Sequence, residues 1–104
     1  MVASTRFPGR APTHPGAVLR EIVLPEADLP VASAARRLGI SRQTLHKVLS
    51  EKIGITPAMA LRLSKLFGST PDFWLRMQHS HDLWHERAAL AKELSAIKPL
   101  ERAA

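Results

Sequence analysis

The residues of this chain best suited to chemistry lie in the run Ser41-Arg42-Gln43-Thr44-Leu45-His46-Lys47-Val48-Leu49. Read as a helix turning about 100° per residue, it points Leu45, Val48 and Leu49 one way and Gln43, His46 and Lys47 the other, with Arg42 and Thr44 on the flanks. No acidic residue interrupts the outward face between Arg42 and Ser50. Such a face matches base edges in a DNA major groove: Arg and Lys pair with guanine O6 and N7, Gln with adenine N6 and N7, and a threonine methyl meets a thymine methyl. Helices that read a groove do so from their first turns. Ser41 stands at the N-cap, where its hydroxyl can accept from a backbone N–H two or three residues on. Thr44 occupies the place where a capping box would carry Glu, so the expected cap is a simple one. Lys52 adds a cation just past the helix. The candidate DNA-binding residues are therefore Ser41, Arg42, Gln43, Thr44, His46, Lys47 and Lys52.

A rival chemistry is metal-dependent hydrolysis at His79, His81 and His85. His81 and His85 are four residues apart, which puts both rings on one helical face, and Asp82 or Glu86 could add a carboxylate. No Glu follows His81 as a zincin helix requires, and neighbouring Leu83 and Trp84 fit a packed helix carrying surface imidazoles. The sequence also has no Gly-rich phosphate loop, no cysteine nucleophile and no serine in an elbow motif. The expectation is a protein that is not an enzyme and holds neither metal nor cofactor.

A groove-reading helix needs a partner helix to aim it. Val31, Ala34, Ala35 and Leu38 recur at i, i+3, i+4 and i+7, the spacing that lines one helical face. Gly39 can close that helix in the left-handed conformation, and Ile40 can then return to the core. The small Ala34-Ala35 pair lets two helices cross closely. Val31 to Lys52 thus reads as a helix-turn-helix. A plain helical hairpin with a solvated polar face is the bland alternative, and it offers no reason for an acid-free surface.

The remaining elements follow from caps and stripes. Pro15, in His14-Pro15-Gly16, starts a first helix where its missing N–H costs nothing, Val18, Leu19, Ile22 and Val23 form its stripe, and Pro25 is expected to end it. Pro30 stands where a Ser or Thr cap is expected, so Asp28 should take that role. Ile53-Gly54-Ile55 makes a loop anchored by both isoleucines. Thr56-Pro57 opens the next helix, with Met59, Ala60, Leu63, Leu66 and Phe67 inward and Gly68 as its stop. Thr70-Pro71-Asp72 opens a fifth, with Phe73, Trp74 and Met77 inward. Without glycine or proline from Asp72 to Lys98, that helix runs long or breaks near Ser80.

Length and charge bound the rest. A chain of 104 residues makes one domain that can bury a modest core unaided. It has no cysteine, no apolar run near ~20 residues and no apolar leader, so a cytoplasmic location without membrane contact is expected. The net charge of +6 is concentrated: residues 31 to 55 hold five basic residues against one acidic, residues 56 to 78 three against one, while both ends balance. A polyanion is the natural partner. A non-specific nucleoid or RNA-binding protein would share the charge but would not need a capped Arg-Gln-Thr start, and aromatics for stacking single-stranded RNA are missing there.

Three parts emerge: a flexible arm over 1–13, a DNA-binding domain over 14–78 and a helical extension over 79–104. In the extension Leu83, Leu90, Leu94 and Ile97 keep a narrow seam at heptad-like spacing. The seam either folds back on the domain or joins two copies, and because groove readers usually bind as pairs the expectation is a homodimer on an inverted repeat of double-stranded DNA.

His14-Pro15-Gly16 with Leu19-Arg20-Glu21, the run Leu38 to Leu45, the run Gly54 to Leu63, and Phe73-Trp74-Leu75 up to Asp82-Leu83-Trp84 together resemble the HigA-type antitoxins of the lambda-repressor-like helix-turn-helix family. The resemblance spans residues 13 to 87 in register. It implies an all-α fold, a five-helix lambda-repressor-like DNA-binding domain with a C-terminal helical extension. It also implies an antitoxin that represses its own operon and neutralises a HigB-like toxin, a ribosome-dependent mRNA endonuclease; the alternative is a solitary repressor without a toxin. By the same carry-over Arg42, Gln43, Thr44 and Lys47 fall on base-reading positions and Ser41 on the cap. The sequence departs at Ser50-Glu51, where the family often has Asn-Gly, and at Pro30, where it often has Ser or Thr. A toxin that handles RNA should be basic, so the acidic Glu21, Glu26 and Asp28 beside the arm are its expected seat.

Overall fold

The computed structural model describes residues 10–101; residues 1–9 of the expected arm, Arg6 among them, lie outside the described residues, as do 102–104. The described residues form helices joined by short turns, with no strand among them. Helix α1 runs through Pro15–Val18, a π-helical Leu19–Val23 and Leu24–Glu26; α2 is Val31–Leu38, α3 Arg42–Leu49, α4 Pro57–Phe67, α5 Pro71–Ala89 and α6 Ala91–Ala96. Five helices and a terminal extension match the architecture expected from the sequence. No helix among the described residues is long and apolar enough to cross a membrane.

The starts obey local rules. Ser41, Thr56 and Thr70 each accept from the backbone N–H three residues on, and Pro57 and Pro71 follow their caps directly. Gly39 and Gly68 end α2 and α4 with φ of 75° and 82°, the left-handed region where a Cβ is costly. Ile40 N–H then reaches back to Ala35 O at 3.0 Å, which returns Ile40 to the core edge.

Two expectations fail at α1, for one reason. Pro25 does not end the helix, because the preceding turn widens so that Leu24 N–H bonds to Leu19 O, five residues back. In ordinary α geometry a proline ring strikes the carbonyl four residues behind it, and a π turn is one way to accommodate that. The extra residue also shifts the register. Ile22, expected in the buried stripe, is 51% exposed, while Leu24 is buried in its place.

Asp28 does not cap α2. It adopts φ 52° in the turn closing α1, where Leu29 N–H reaches Leu24 O at 3.1 Å; it thus finishes one helix and cannot start the next. Pro30 stands at the N-cap of α2 with no side-chain hydrogen bond.

The core gathers one stripe from each of the first five helices: Leu19 and Leu24, Ala34 with Ala35 and Leu38, Leu45 with Val48 and Leu49, Met59 with Ala60 and Leu63, and Trp74. Ile55 joins them from the loop before α4, but Ile53 stays largely exposed, so a single isoleucine anchors that loop. Trp74 is buried and satisfied, its Nε1–H donating to Ser69 Oγ at 2.7 Å. Phe73, expected inward, is 46% exposed and meets Trp74 edge to face. Adjacent helical residues diverge by about 100°, and Trp74 takes the inward position.

Helix α5 passes Ser80 unbroken and stops at Leu90. Gln78 is its last buried residue. Beyond it Leu83, Leu90, Leu94 and Ile97 are all exposed, so the seam does not fold back on the domain.

Candidate nucleic-acid interface

Helix α3 carries the sequence-predicted site, and local chemistry fixes both its ends. At the start, Thr44 N–H donates to Ser41 Oγ at 3.0 Å, and the Ser41 hydroxyl donates to Thr44 Oγ1 at 2.9 Å. The threonine therefore returns part of what a capping-box Glu would give, and both hydroxyls are committed to holding the first turn. At the far end Glu51, with φ 66°, takes the left-handed place usually given to glycine, and Lys52 N–H bonds to Lys47 O at 2.9 Å. The helix closes properly despite the non-glycine residue.

Leu45, Val48 and Leu49 are buried, and Arg42, Gln43, His46, Lys47 and Lys52 are exposed, with Thr44 half-buried between the two sides. The structure thus brings Arg42, Gln43, His46 and Lys47 onto one accessible surface. Ser41 sits at its rim as the cap, and Lys52 follows in the exit turn. Gln43 and Lys47 project straight away from the core, in the orientation a groove-inserted helix needs.

Residues outside the sequence-predicted set hold α3 in place. Arg20 of α1 donates to Leu49 O at 2.5 Å, pairs with Glu21 at 2.7 Å and lies 3.5 Å from Glu51. A cation is favourable there, at the carbonyl end of α3. Arg62 of α4 plays the same part for α2, donating to Leu38 O at 2.6 Å. Gly16 lies so close to α3 that a Cβ on it would stand 1.9 Å from Val48 O. No side chain separates the two backbones.

His14 and Gln78 are buried polar residues that sequence reasoning passed over as site residues. His14 caps α1, its Nδ1 accepting from Gly16 N–H at 2.9 Å. Burial lowers its pKa from the ordinary 6.5, with His81 and Arg20 acting in the same sense and Glu51 and Asp82 opposing. Gln78 Oε1 accepts from Ile55 N–H at 2.7 Å, and its Nε2 donates to Asp82 Oδ1 at 3.0 Å. One signal could have found Gln78: it lies four residues after Trp74, on the same buried stripe.

The histidine cluster differs from the expected one. His79 is exposed, while the His81 ring stands 4.5 Å from that of His85 and 4.8 Å from that of His14. Among the described residues no group of three ligating side chains is arranged to hold a metal.

Comparison with known proteins finds a helix-turn-helix family profile that matches residues 19–74. The chain is similar to antitoxin HigA-1 of Vibrio cholerae, 31% identical over 91 residues that cover 88% of this chain and 86% of the relative. It is also similar to an uncharacterised helix-turn-helix transcriptional regulator of Haemophilus influenzae, 34% identical with 86% of each chain covered. Among solved structures, a Pseudomonas aeruginosa antitoxin HigA with the higBA promoter superposes with a TM-score of 0.80 at 36% identity, over 86% of this chain and 99% of that one.

Proposed function

The chain belongs to the HigA-type helix-turn-helix family, and from that premise we propose that it is a DNA-binding antitoxin that represses its own operon and neutralises a HigB-like toxin. The observation that carries the DNA-binding part is the exposed, acid-free surface of α3, where Arg42, Gln43, His46 and Lys47 stand together on a helix capped by Ser41. Arg42 and Gln43 read base edges from the first turn, Thr44 offers a methyl, and Lys47 and Lys52 meet phosphate. The HigA named above was solved with the higBA promoter, which supports a DNA-binding role. Two copies act together on an inverted repeat, joined through the exposed seam of α5 and α6, and the organisation is an arm over 1–13, a reading head over 14–78 and an extension over 79–104. The protein works by binding and not by catalysis.

The toxin seat is α1. Glu21, Glu26 and Asp28 are exposed there, Glu21 paired with Arg20 at 2.7 Å, and the π turn adds the exposed Ile22 among them as an apolar anchor. A basic toxin is drawn to that acidic face and repelled by α3.

Footprinting of the native upstream region tests the reading. Arg42→Ala and Gln43→Ala should each cost roughly 1–3 kcal/mol on the operator and relax base choice, while Lys52→Ala should mainly lower the salt slope. Glu26→Lys should weaken rescue from the toxin and spare operator binding. Equal binding to operator and scrambled duplex would overturn the repressor reading, and rescue lost only with Arg42→Ala would overturn the seat on α1.

A further inference from the structure

The segment that leaves the reading helix, Val48 to Ile55, is held at both ends by groups that touch one another behind it. At one end Gly16 presses on Val48 O, and the turn carrying Gly16 is capped by His14 Nδ1. At the other end Ile55 N–H is bound by Gln78 Oε1, and Gly54 lies so close to that amide that a Cβ there would come within 2.8 Å of it. The two holds meet on α5. Gln78 Nε2 and His81 Nδ1 both approach Asp82 Oδ1, at 3.0 and 3.4 Å, and His81 meets His14 edge to face.

We propose that His14 and Gln78 are positioning residues for the DNA-reading helix, and that protonation of His14 loosens this hold and weakens operator binding. The proposal rests on the DNA-reading role assigned above to α3. A proton on Nδ1 removes the lone pair that Gly16 N–H needs, so the first turn of α1 loses its cap where it abuts Val48. The same proton places a cation against the His81 ring and draws on the Asp82 carboxylate that steadies Gln78. The charged groups around His14 are Arg20 from its own helix, Glu51 from the exit of α3, and His81 and Asp82 from α5.

The sign follows from burial. The fold holds His14 with a pKa below its ordinary 6.5, so the neutral form is the native one. The unfolded chain takes up the proton first, so this contribution is complete above 6.5 and shrinks as pH falls from there through the lowered folded value.

Operator affinity and the protection factor of the Ile55 amide, followed from about pH 8 to about pH 5, test this. Relative to His14→Asn, the parent protein should lose operator affinity on the acid side of 6.5, with Ile55 protection falling in parallel. His14→Asn keeps an acceptor at the cap and cannot titrate, so it should bind as well at the alkaline end and show a flat profile. Gln78→Leu should lose Ile55 protection and operator affinity throughout. An acid-side loss unchanged in His14→Asn, or no loss in the parent, overturns the proposal. If no operator is bound even at alkaline pH, the DNA-reading role fails, and the Ile55 protection profile alone still decides whether the lock exists.

Discussion

Leu63 and Leu94 belong to helical stripes that look alike in sequence, yet Leu63 is fully buried and Leu94 is 46% exposed. The difference separates the head, where five helices share one core, from the tail, where every residue from His85 to Glu101 is exposed. Periodicity identifies an apolar stripe; only topology determines whether anything covers it. In the head, α1 and α4 return across α2 and α3, so each stripe meets another. The tail leaves the head along the axis of α5, and no later element of the described chain returns to it.

The sharpest way to break this comparison is to empty one site in each region. Trp74→Ala should cost about 3–5 kcal/mol in urea unfolding, as expected for a large aromatic removed from a closed core. Gly16→Ala comes next, at about 1–3 kcal/mol, because the added methyl meets the rigid backbone carbonyl of Val48 with no rotamer to relieve it. Its operator affinity should fall as well, since α3 must move to make room. Glu51→Gly runs the other way: it removes a side chain from a left-handed position and should stabilise by about 1 kcal/mol, roughly 4–8 °C in Tm. The Arg20 to Glu51 approach of 3.5 Å is exposed and offsets little of that gain. Leu94→Ala should change the unfolding free energy of dilute protein by less than about 0.5 kcal/mol. Its effect should appear in light scattering at higher concentration, as weaker self-association. A Leu94→Ala loss as large as that of Trp74→Ala would erase the distinction between head and tail.

Much of the head was legible because its rules are local. Ser41, Thr56 and Thr70 cap, Gly39 and Gly68 stop, and the outward residues of α3 follow from turning angle alone. What escaped was non-local or depended on register. Proline at position 25 reads as a helix end, and only the wider turn before it reverses the burial of Ile22 and Leu24. Gln78 and His14 have polar side chains that usually sit in water; their burial depends on Ile55 and Gly16, which are far from them in sequence or bound through an unusual cap. Phe73 and Trp74 are neighbours of similar apolarity, and nothing in their spacing tells which one the core will accept. The exposed positions of Arg42, Gln43, His46 and Lys47 were readable for the opposite reason, since an outward surface needs no partner within the chain.

The protruding tail also governs how the molecule moves through solvent. Its extents of 57 × 26 × 25 Å give a rod more than twice as long as it is wide, against the near-spherical outline of a compact domain of this length. A rod drags more than a sphere of equal mass, so a single chain will leave a size-exclusion column early, in the range where a larger globular protein elutes. Its tumbling will be slower about the short axes than about the long one, and amide vectors in α5, which lie along the rod, will report a longer correlation time than those set across it.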